Sequence, residues 1–151
     1  MSLKSFDILH IRELPSSIIR DDDVAKEDIA KSRLSYLVVF QHQEGNEAVA
    51  LHVSLRLQSE GNTVLLQEGA TLIVKVIGWD EMAKDEPSLR GNERIIALVD
   101  YGLAFVSGMV FRHVSGTALN SLDPPIIDAM RIMDHVVIDL RPKQPEAESN
   151  A

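Results

Sequence analysis

The chain contains no cysteine, which removes disulfides, thiolate metal sites and a cysteine nucleophile together. Aromatic residues make up only 5%, with one tryptophan, so the core must be built from branched aliphatics. Basic residues are outnumbered, 15 against 23 acidic, for a formal net charge of −8. A field of that sign repels phosphate backbones and argues against nucleic-acid binding. It suits a protein that keeps an adhesive surface soluble or docks a basic partner. No uninterrupted apolar run approaches the ~18 residues that span a bilayer, so no membrane insertion is expected. Residues 1–5 lack the apolar core of a secretion signal, and cytoplasmic residence is the simplest expectation.

Catalytic patterns are missing as well. There is no Gly-rich phosphate loop, no Gly-x-Ser-x-Gly elbow and no dinucleotide fingerprint. None of His10, His42, His52, His113 and His135 forms a close helical pair with another ligand, although His42 and His52 are placed to face each other across a hairpin. The Asp21-Asp22-Asp23 run lacks the alternating ligands, central Gly and closing Glu of a calcium loop, and fits a helix N-terminus instead. No cofactor, metal or catalytic residue is expected, and the chain does not read as an enzyme. Glu68, inside a strand, and Asp100, inside a helix, are the carboxylates with markedly apolar neighbours; a solvent-facing position is the simpler reading for both.

What is present is 151 residues, 45% of them hydrophobic, enough for one core but not two. One domain is expected over 1–140, with a disordered tail over 141–151 that carries Pro142 and Pro145. The fold class expected is α+β: a four-stranded antiparallel sheet, a long helix in the second half and a short second helix. A first strand begins at Phe6, with a bulge near Leu9. Three strands then follow with short links, Leu34–Gln41, a run through Val49–Leu57, and Thr63–Ile77 with a bulge at Gly69. Such links favour a meander, because parallel pairing needs long crossovers. Val49, Leu51, Val53, Leu55 and Leu57 alternate with Ala50, His52, Ser54 and Arg56, so the odd set should face the core.

Asn92 caps a helix from Glu93 to about His113. Its apolar positions cover much more than a stripe, and one sheet can cover only one side. A homo-oligomer follows as an expectation, with Gly102 and Gly108 as notches for close helix approach and Phe105, Val106 and Met109 beside them. Asp123-Pro124 has the form of a second helix start. His135–Ile138 has the composition of an extra short strand. Trp79 fits two readings, a cap on the core or part of an apolar recognition surface.

The order of these elements resembles that of the SecB family of export chaperones. Phe6-x-Ile8-x-x-Ile11 is similar to the family's first-strand pattern. Tyr101 corresponds to the tyrosine of its Pro-Tyr-Ala-Arg signature, Met109-Val110-x-Arg112 to its Met-Val-x-Arg, and Gly116-Thr117 to the turn that follows. Pro124-x-x-Ile127-Asp128-Ala129-Met130 is similar to the start of its second helix. The chain departs at Asp100, Gly102 and Leu103, which replace the Pro, Ala and Arg of the signature. Pro15 and Ile19 stand where the family carries acidic residues for the SecA motor, and Glu68 alone remains of that set. The resemblance implies an ATP-independent holdase that binds unfolded polypeptides or preproteins in apolar grooves of a tetramer, serving protein export. It places polypeptide binding at Trp79, Leu119, Leu122, Ile126, Ile127 and Met130, and partner docking, by the SecA motor, at Glu68. Two alternatives stand beside it: a SecB-fold partner for one dedicated client, such as a toxin–antitoxin module, and a small α+β enzyme with a scattered site.

Overall fold

A computed structural model of the chain describes residues 6–19, 29–43, 45–46, 48–79, 85–117, 119 and 128–141. Strands β1 (Phe6–Glu13), β2 (Ser17–Ile18), β3 (Arg33–Gln43), β4 (Ala48–Gln58) and β5 (Val64–Val76) precede helices α1 (Glu86–Arg90) and α2 (Glu93–Val114). A short α3 (Ala129–Ile132), a 3-10 turn and a last strand β6 (Val137–Arg141) complete them. The strands form one mixed sheet in the order β1-β5-β4-β3-β6, with β2 pairing β5 beyond the end of β1.

The expected meander is there: β3, β4 and β5 pair antiparallel in sequence, and β1 returns antiparallel to β5. Among the described residues the sheet nonetheless has six strands rather than four, and it is not purely antiparallel. β6 lies parallel to β3, Val39 opposite Val137. The crossover through α1, α2 and α3 is long enough to permit that direction, which short links forbid. β6 ends at Arg141, the first residue of the expected tail, and 142–151 lie outside the described residues. The bulge near Leu9 is real, between Ile8 and His10. Gly69 is not bulged but pairs regularly with Ser54. Its missing side chain leaves room for Leu14 and the Val53 carbonyl, each 3.1 Å from where a Cβ would lie.

The register follows the alternation in β4. Val49, Leu51, Val53 and Leu55 are almost fully buried and Leu57 nearly so, while Ala50, His52, Ser54 and Arg56 line the other face. Each buried aliphatic contributes roughly 1.5–3 kcal/mol. α2 packs across β4 and β5 on this face. Asn92 caps it, the side-chain oxygen accepting from the Arg94 and Ile95 amides. Its inner stripe is Ile95, Leu98, Val99, Gly102, Leu103, Val106, Met109, Val110 and Val114. By length and composition this helix would suffice to cross a membrane; a count of uninterrupted apolar residues misses that because Asp100 breaks the run. Seating the helix on a sheet provides another use for the same apolarity.

Gly102 is where α2 comes closest to the sheet. A Cβ there would lie 2.8 Å from Leu51 Cδ2 and 3.0 Å from Val53 Cγ2. Gly102→Leu should therefore lower stability by about 1–3 kcal/mol or more in urea unfolding, through overpacking. Ser54→Ala, on the opposite face, should change it by less than about 0.5 kcal/mol.

Candidate functional site

The residues expected to bind or assemble separate into three groups. Three of the oligomer set point at the sheet: Gly102, Val106 and Met109 are buried under α2. They are corrected to core positions. Phe105 is half-buried on the flank of the helix. Gly108 is exposed and has nothing within 4 Å of a built Cβ.

Of the polypeptide-binding set, Trp79 is also a core residue. Its ring stacks on Phe40 at 5.3 Å between centroids, and its Nε1–H donates to His42 Nδ1 at 3.2 Å. An indole can only donate, so that nitrogen of His42 carries no proton. His42 Nε2 then donates to the Asn46 carbonyl at 2.8 Å. Leu119 is fully buried as well. Leu122, Ile126 and Ile127 lie outside the described residues, as do Asp123-Pro124 and Asp21–Asp23. Among the described members of this set Met130 alone is open, with 71% of its surface accessible. Its segment is held by Arg90, whose Nη1 donates to the Met133 and Val136 carbonyls, each at 2.6 Å.

Glu68 departs most from expectation. Antiparallel pairing puts it opposite Leu55 and so on the face under α2. It is wholly buried, and Oε1 accepts from His113 Nδ1 at 2.6 Å. Oε2 has no hydrogen-bond partner among the described residues. Arg112 beside it bonds Glu13 of β1 at 2.9 Å, closing the end of the helix over the sheet. A buried carboxylate cannot dock a basic partner. Glu68 joins α2 to β5 instead, while Asp100 faces solvent.

On the open face a row of polar side chains runs across the strands. Thr71 Oγ1 donates to His52 Nδ1 at 2.8 Å, and His52 Nε2 donates to Gln41 Oε1 at 3.2 Å. Gln41 Nε2 donates in turn to Asp139 at 3.3 Å. His42 and His52 therefore lie on opposite faces and do not meet. Burial lowers the His52 pKa, and the Arg12 guanidinium lowers it further. The row ties strands together, and at Gln41 it borders an open pocket of about 250 Å³ that Gln43, Asn46, Ala50, Ile73 and Arg141 also line.

One feature escaped the sequence reading. The outward side of α2 carries Ala97, Tyr101, Ala104, Gly108 and Phe111, all exposed. Tyr101 is 42% and Phe111 64% accessible. Their spacing of four, three, four and three residues is the seam repeat of packed helices. The signal was in the sequence, but it is hidden until the inner stripe has been assigned.

Two outcomes follow from these environments. Glu68→Lys should cost about 3 kcal/mol or more in urea unfolding, because it buries an unmatched charge; unchanged stability with weaker partner capture would instead restore a docking role. His52 takes up a proton less readily in the folded chain than in the unfolded one. As pH falls through about 6.5 the unfolded state binds that proton first, so stability should drop. His52→Gln should flatten that part of a stability profile measured from pH 8 to pH 5.

No protein-family model matches the sequence, and a search of curated proteins finds no match. Among solved structures, the chain is similar to the Mycobacterium tuberculosis SecB-like chaperone Rv1957, in complex with a ChAD peptide from the HigA1 antitoxin Rv1956. The TM-score is 0.49 at 14% sequence identity, over 82% of this chain and 88% of that one.

Proposed function

We propose that the protein is an ATP-independent holdase for unfolded polypeptides, and that it works as an oligomer assembled through the outer face of α2. The observation that carries this reading is the exposed row Ala97, Tyr101, Ala104, Gly108 and Phe111. Monomers seldom leave so continuous an apolar strip in water. Its seam repeat suits a second helix, and Gly108 lets the two backbones approach. Closed symmetry then repeats every other exposed apolar element, Met130 among them, so that weak contacts to a client add by avidity. A tetramer arranged as a dimer of dimers satisfies these demands. The net charge of −8 keeps such an assembly soluble. Burial of Glu68 removes the residue on which coupling to a SecA-type motor rested, so export is no part of the proposal.

Gly108→Leu separates assembly from folding. The position is open to solvent, and helix propensity should raise stability of the subunit by up to about 1 kcal/mol. Light scattering should nevertheless show a smaller particle, and suppression of aggregation of a heat-unfolded client should fall with it. A stable monomer of the unmodified protein at micromolar concentration would sink both parts of the proposal.

A further inference from the structure

We propose that the open face of the sheet, the side turned away from α2, docks a short acidic polypeptide segment. The inference does not rest on the holdase reading, since it uses the other side of the molecule. Residues opposite each other in neighbouring strands share a face. The register therefore places Arg12 of β1, Lys75 of β5 and Arg56 of β4 on the side that carries His52 and Thr71. Arg33 of β3 and Arg141 of β6 stand on that side as well. Each of the five strands β1, β5, β4, β3 and β6 thus contributes one exposed cation. Asp7 and Asp139 are the carboxylates these strands place on the same face. The chain holds 15 basic and 23 acidic residues, so a cationic surface on it runs against the balance of the whole.

The two carboxylates leave much of this charge unmet. Asp139 pairs with Arg141 at 3.2 Å, and Asp7 lies opposite Lys75. Arg12, Arg33 and Arg56 have no carboxylate partner among the described residues. Arg56 reaches the neutral Gln67 instead, at 3.3 Å. The His52 pKa is lowered first by burial and then by Arg12, the direction a cationic surface imposes on an imidazole. At the hairpin end, the pocket beside Gln41 is lined by Arg141 and by the carboxamides of Gln43 and Asn46. Lys75 stands opposite Ala48, which also lines it. A carboxylate entering there meets a guanidinium and amide donors together, the partners that hold such a group best.

The range of the charges selects the kind of partner. At physiological salt, charges more than ~8 Å apart are largely screened from each other. The acidic remainder of the molecule therefore weighs little on a short segment in contact with this face. A long polyanion that extends past the face meets the repulsion of a chain with net charge −8. From Ala48 to Arg56 the face runs roughly 27 Å along β4, which about eight extended residues span. Leu37 and Val137, both exposed on this face, offer contact to the apolar side chains of a peptide. A polypeptide segment rich in aspartate or glutamate combines these properties.

Fluorescence anisotropy on the full chain tests this. The probe is a labelled peptide of about ten residues, alternating glutamate and threonine and capped at both ends, a length matched to the face. It should bind at low ionic strength, and its counterpart with glutamine in place of glutamate should not. Arg12→Glu combined with Arg56→Glu should weaken binding about tenfold or more and keep the urea midpoint, since both positions are exposed. Arg12→Gln with Arg56→Gln, gentler on the fold, should give a smaller loss in the same direction. With the peptide bound, His52 should take up its proton at a higher pH, because nearby carboxylates favour the charged imidazole. Failure of the glutamate peptide to bind, equal binding of the glutamine peptide, or binding that both double variants leave intact would overturn the proposal. Tighter binding of an oligothymidylate of matched length would assign the face to nucleic acid and overturn it too. So would a particle that shrinks in light scattering, without peptide, when Arg12 and Arg56 are reversed, since a second copy would then occupy the face.

Discussion

The odd-numbered side chains of β4 and the inner stripe of α2 hide each other from water, and the rest of the molecule is arranged around that contact. β5 lies beside β4 with Leu66, Ala70, Leu72 and Val74 on the same face, so the helix rests on two adjacent strands. Gly102 lets it settle against Leu51 and Val53. Once one side of a 22-residue helix is fixed in this way, its other side is fixed too. Tyr101 and Phe111 must face outward because Leu98, Gly102, Met109 and Val110 face in.

Polar contacts set the limits of this core. At one end of α2, Glu68 and His113 join helix to sheet through a single short hydrogen bond, with Arg112 and Glu13 bridging to β1 outside it. Near the other end of β5, Trp79 and His42 close the hairpin side, with the indole held between a stacked ring and an acceptor nitrogen. Both contacts place a polar group in an apolar setting, where a missing partner costs more than a formed bond contributes. They therefore specify position more than they add stability. Each fastens one element of the fold to another.

Among the described residues, the apolar side chains left in water include Tyr101 and Phe111 on α2, Leu34 and Leu37 on β3, and Met130. These belong to different elements, yet each is adhesive without being selective. That combination suits recognition of unfolded chains, whose common features are apolar side chains and unpaired backbone.

Much of this was legible in the residues themselves. Strict alternation in Val49–Leu57 set the buried face of β4, because the side-chain period of a strand is two. Asn92 marked the start of α2 through its capping side chain, and the short links of the meander dictated antiparallel pairing. Local chemistry suffices for such features. The sequence could not assign Glu68, Trp79 or Gly102, because the partner of each is remote in the chain: His113, Phe40 with His42, and Leu51 with Val53. Nor could it place β6, since a strand that returns after a long crossover has no turn to dictate its neighbour or direction. The sequence by itself determined which elements form and which residues are apolar. Tertiary structure alone decided which of those apolar residues stay in water, because a helix shows its outer face only after a sheet has covered the inner one.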